Sequence, residues 1–149
     1  MGSWGPVEPL IVGFEEMTKK PSWQDADLLL RIDDLAARPE TRVALDWFRK
    51  NHLGVRGTSE TLIPREAPEY EYVQRFLELF ETLGTLVKLG VLNEELVHER
   101  WMTRAPWDFL QPTIRRERLS SGPAYASNFE WLAERNRRWS QRRSRRRVG

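Results

Sequence analysis

Between Pro68 and Gly90 two apolar stripes run side by side along the chain. Tyr72, Phe76, Leu79, Leu83 and Leu86 recur at alternating steps of four and three, and Val73, Leu77, Phe80, Gly84 and Val87 repeat that rhythm one position on. Only a helix of ~3.6 residues per turn gathers both sets on one broad face. Such a face must be covered by other apolar surface, so this segment is expected to be the central helix of an all-α domain. Glu71, Gln74, Arg75, Glu78, Glu81, Thr82, Thr85 and Lys88 fill the remaining strip. That strip is expected to face water or a partner, with Glu71 and Arg75 in the favourable i, i+4 order.

The flanking segments supply the covering helices. Ser22 and Asp25 form a variant capping box, and Leu28, Leu29, Ile32, Leu35 and Ala36 make one helical stripe, so a first helix is expected from about Trp23 to Ala37. Pro39 suits the first position of a second helix through Val43, Ala44, Trp47 and Phe48, ending near Asn51 and pairing with the first as a hairpin. Leu53 to Ala67, with Gly54, Gly57 and Pro64, reads as the longest internal loop. Asn93 is a good N-cap, Glu94 and Glu95 suit a first turn, and Leu92 with Val97 stand at staple spacing, which predicts a short helix through Trp101 and Met102. Pro106 and Pro112 leave two readings open, one kinked helix or a turn followed by a helix opening at Pro112. After Gly122-Pro123, Tyr125, Phe129, Leu132 and Trp139 mark a last helix, and beyond Trp139 only polar residues precede Val148, so a frayed end is expected.

The expected architecture is an irregular bundle of about five to six helices over residues 22–139, with an extended, proline-broken arm at 1–21 and a flexible basic tail at 140–149. Apolar residues make up 40% of the chain and charged residues 31%, which is the balance of a folded globular domain. The absence of cysteine excludes disulfides, thiolate metal sites and a thiol nucleophile, and no window approaches the ~20 apolar residues of a membrane helix. A cytoplasmic protein is the expectation.

From Tyr72 to Trp139 the chain resembles the uncharacterised bacterial family known as domain of unknown function 4760. The resemblance rests on RFLELFETLGTLVKLGVLNEELVHERW at Arg75 to Trp101, APW at Ala105 to Trp107, and YASNFEWLAER at Tyr125 to Arg135. These positions are mostly apolar or aromatic. The resemblance implies a helical packing pattern and carries no activity, cofactor or site residue.

Few residues invite a chemical reading. Glu95 and His98 have the Glu-x-x-His spacing of carboxylate-bridged di-iron bundles, yet His52 is the only other histidine and no second such pair exists. A solvated helix face is therefore the expectation there, and no metal or cofactor is expected. Ser59 with His52 or His98 is the sole arrangement for nucleophilic catalysis, without the turn that marks an activated serine, and no phosphate-binding glycine loop occurs. Of the seven tryptophans, Trp131 lies off the main stripe of its helix and is the candidate exposed anchor.

The charge distribution points to a class of partner. The formal charge is +2, and Arg135, Arg137, Arg138, Arg142, Arg143, Arg145, Arg146 and Arg147 alone contribute eight positive charges, leaving −6 for everything before them. An acidic body thus carries a basic end. That end serves as a solubilising tail, a nucleic-acid arm, or a contact for an acidic protein surface. The expected function is a non-enzymatic protein acting through binding to another protein. The alternatives are a nucleic-acid-associated protein using the arginines and a helical enzyme without a recognisable motif.

Overall fold

The computed structural model describes residues 2, 19–52 and 62–149. Six α-helices and no strand occur among them: α1 (Trp23–Ala36), α2 (Pro39–His52), α3 (Tyr70–Lys88), α4 (Glu94–Arg100), α5 (Arg104–Ser121) and α6 (Ser127–Val148). The expected N-terminal arm, apart from residues 2 and 19–21, lies outside the described residues, as do Trp4 and Ser59.

Local signals set several boundaries. The Ser22 hydroxyl accepts the Asp25 N–H, and Asp25 reaches back to the Ser22 N–H at 2.7 Å, so α1 opens on a complete capping box. Pro39 is the first residue of α2, and Asn93 caps α4 by accepting the Leu96 N–H at 2.9 Å. Pro112 lies inside α5, which is one helix rather than two.

The core lies around α3, which packs most extensively on α6 and then on α2. Its stripes are buried except for the half-buried Tyr72 and Leu86, and Phe80 stacks between Phe76 and Phe129 with Trp101 edge-on. Close approach to α6 depends on Gly84, where an added Cβ would lie 2.3 Å from the Asn128 carbonyl oxygen. The polar strip of α3 is not wholly left to water. Glu81 accepts the backbone N–H groups of Asn128 and Phe129 at 3.3 and 2.8 Å, and the Asn128 side chain donates to the Thr85 hydroxyl. Because α6 opens on a left-handed Ala126 with no side-chain cap of its own, the α3 carboxylate does the capping across the interface.

A second tie fastens the segment before α3. Arg65 grips the buried Glu117 of α5 with two hydrogen bonds of 2.9 and 3.0 Å. These bonds, joined by Arg116, hold the Glu117 carboxyl below the usual range against the opposing effect of burial.

The largest departure from expectation is at the C-terminus. Residues 140–148 continue α6 as regular helix, where a flexible tail was expected after Trp139. Arginine is a strong helix former, and no glycine or proline interrupts the chain from Ser127 to Val148.

Candidate functional site at the junction of α4 and α6

Side by side, α4 and α6 are joined by a ladder of polar pairs. Arg135 grips Glu94 with bonds of 2.5 and 2.8 Å, the Trp139 indole N–H donates to Glu95 at 2.9 Å, and Arg143 pairs with Glu99. Arg135, Trp139 and Arg143 stand at i, i+4 and i+8, so one face of α6 meets the three glutamates of α4.

His98 sits within this ladder and is buried, against the expectation of a solvated face. Its position between Val97 and α6 turns the ring inward, over Trp139 at 5.7 Å. The bonds around it select a tautomer. The Asn136 amide oxygen faces the Arg104 backbone N–H at 3.4 Å, which directs the Asn136 NH2 toward His98 Nδ1 at 3.2 Å. His98 Nδ1 therefore accepts, and Nε2–H donates to Glu94 Oε1 at 3.1 Å. Both ring nitrogens are thus committed within the protein. Burial pushes the Glu94 carboxyl up, but the hydrogen bonds from His98 and Arg135 and the Arg135 charge outweigh it and hold Glu94 at about 2.

Beside the ladder lies an open cleft of about 490 Å³ between α4, α6 and the entry to α1. Lys19, Lys20, Glu95, Trp139 and Arg142 are among its lining residues, and Val87, Val91 and Leu92 supply apolar surface to it.

The eight arginines divide into two groups. Besides Arg135 and Arg143, Arg137 pairs with Asp108 at 2.9 Å and with Glu134, and Arg138 pairs with Glu134. Arg142, Arg145, Arg146 and Arg147 form no ion pair among the described residues and are exposed on the last turns of α6.

Trp131 is not an exposed anchor. It is half-buried against the core, with Lys88 at 6.0 Å and Arg135 at 5.2 Å from its ring, because the strip it occupies faces α3 rather than water. The exposed tryptophan among the described residues is Trp23, at 90% exposure. His52 stacks on Phe48 at 4.8 Å, and no group of three or more metal-ligating side chains occurs among the described residues. Glu95 and His98 turn to different partners, His98 to Glu94 and Asn136 and Glu95 to Trp139.

The sequence matches the family model described as a domain of unknown function, DUF4760, over residues 24–139. The chain belongs to this family. The match takes in α1 and α2 as well as the stretch from Tyr72 that carries the resemblance, and it spans every residue of the ladder up to Trp139. Neither a curated protein nor a solved structure matches the chain. None of the described helices is long and apolar enough to cross a membrane.

Proposed function

We propose that this DUF4760 protein acts by binding, without chemistry of its own, and that its partner is a protein with an acidic surface. The observation that carries this reading is the end of α6. It extends from the ladder as a preformed helix bearing Arg142, Arg145, Arg146 and Arg147, none of them neutralised among the described residues. Arg142, Arg145 and Arg146 lie at i, i+3 and i+4 and so share a face. A helix that is already formed loses less entropy on docking than a disordered tail does. Carboxylates suit this surface, because Arg135, Arg137, Arg138 and Arg143 of the same helix each pair with a carboxylate.

The test is fluorescence anisotropy with a labelled glutamate-rich peptide and a labelled DNA duplex, using the full chain and a chain truncated after Trp139. The peptide is expected to bind the full chain at physiological salt and to be lost on truncation. Tighter binding of the duplex would favour the nucleic-acid reading, in which four free arginines allow a slope of log K against log salt no steeper than about −4. Equal binding of the peptide by both chains would remove the helix end from the function.

A further inference from the structure

The cleft beside the ladder carries unmatched charges of both signs. Glu94 pairs with Arg135 and His98, and Asp25 is taken up by the Ser22 N–H, the Ser22 hydroxyl and the Asn93 N–H. Four charged groups remain without an ion pair among the described residues. Lys19, Lys20 and Arg142 are exposed cations of the lining, and Glu95 is a half-buried carboxylate that, among the described residues, accepts a hydrogen bond from the neutral Trp139 indole alone.

Three classes of small ligand can be weighed against that inventory. A simple anion meets the three cations but also faces the Glu95 charge, and a simple cation meets Glu95 but faces the other three. A molecule bearing an ammonium and a carboxylate a few bonds apart matches both signs at once. The apolar part of the lining, Val87, Val91 and Leu92, suits a hydrocarbon or aromatic body. The volume of about 490 Å³ lies in the range of small-molecule sites and exceeds that of a single large side chain.

We propose that this cleft binds a small zwitterion of the amino-acid class, its carboxylate toward Lys19, Lys20 and Arg142, its ammonium on Glu95, and its apolar side chain on Val91. Glu95 is held for the purpose by Trp139, whose indole N–H fixes one carboxylate oxygen and leaves the other for the ligand. The His98 and Asn136 pair beneath holds α4 in register with α6, so the groups from the two helices face a common space. This site is separate from the acidic-partner reading, with which it shares only Arg142.

The experiment is thermal unfolding of the full chain with millimolar phenylalanine, leucine, N-acetylphenylalanine or phenylalanine amide, followed by calorimetric titration of whatever stabilises. The free amino acids are expected to raise the melting temperature with concentration, and each blocked derivative to fail, because it lacks one charge. Glu95→Gln should weaken binding of the free amino acid by about tenfold or more, and Lys20→Ala by less, since Lys20 shares its role with two other cations. Both variants keep the buried core intact, so their unliganded melting temperatures control for folding. N-acetylphenylalanine binding as tightly as phenylalanine would overturn the zwitterion assignment, and no stabilisation by either free amino acid would overturn the site.

Discussion

Gly84 offers a severe test of the packing of α3 on α6. In isolation, Gly84→Ala would stabilise the helix, because alanine is favoured over glycine by ~1 kcal/mol in a helix interior. The structure forbids the methyl group. It would lie 2.3 Å from the Asn128 carbonyl oxygen and 2.7 Å from its carbon, and these are backbone atoms that no rotamer change can move. Relief demands that α6 retreat by about 1 Å to restore ordinary van der Waals separation. Asn128 and Phe129 are the residues whose N–H groups Glu81 caps, so retreat also stretches bonds of 3.3 and 2.8 Å and loosens the Phe80 and Phe129 stack at 4.9 Å. Overpacking of this kind costs ~1–3 kcal/mol, and weakening the cap adds ~1, which together exceed the propensity gain. A net loss of about 2 kcal/mol follows, or roughly 4–8 °C in melting temperature for a domain of this size. Differential scanning calorimetry of the two proteins measures it. A melting temperature equal to or above that of the wild type would refute the close approach.

Three further outcomes are expected. Phe80→Ala should cost ~3–5 kcal/mol in urea unfolding, since a fully buried ring leaves a cavity, whereas Glu78→Ala on the exposed strip should cost less than ~0.5 kcal/mol; equal losses would mean that the faces of α3 are wrongly assigned. Glu94, held at about 2, has a folded value below its unfolded one, so its contribution of ~2–3 kcal/mol is present above pH ~4.5 and is lost as pH falls toward 2. Glu94→Gln should therefore destabilise the protein at neutral pH and converge on the wild type near pH ~2, and parallel stability curves would refute the linkage. Truncation after Trp139 removes one half-exposed ion pair, Arg143 with Glu99, and should lower stability by no more than ~1 kcal/mol by calorimetry; a drop of many degrees would show the end of α6 to be structural.

What the sequence made legible was local. The Ser22 and Asp25 box, Pro39 and the Asn93 cap act within a turn of chain, and the paired stripes of α3 need only the helical period to be seen. The α4 and α6 ladder joins residues some forty positions apart, and no local pattern specifies such a pairing. Its one trace is the i, i+4, i+8 spacing of Arg135, Trp139 and Arg143, which is hidden when the arginines are counted together as a tail. The same counting concealed the helix through residue 148, although the lack of glycine and proline there was readable. His98 was misplaced because Glu95 at i, i+3 drew the reading outward, whereas the partner that matters is Glu94 at i, i+4, turned toward α6. Glu81 was assigned to a solvated strip for a similar reason, since capping another helix across an interface leaves no mark near the capping residue.

The ladder also explains why a short helix and a basic end occur together. A helix of seven residues has too few internal hydrogen bonds to persist alone, and α4 buries only Val97 and His98. It holds its place through Leu92 and Val97 in the core and through three glutamates facing α6, each met by a hydrogen-bonding side chain. Arg143 is the last arginine of α6 that meets such a glutamate, because α4 ends at Arg100 and offers no carboxylate beyond Glu99. Past that point the arginines continue while the acidic partners in α4 have run out. Arg145, Arg146 and Arg147 are thus unmatched because α6 runs on to Val148, past the last glutamate that α4 offers, and positive potential collects at that end. An acidic partner docking there would continue the pattern of the ladder, its carboxylates taking the places that α4 is too short to fill.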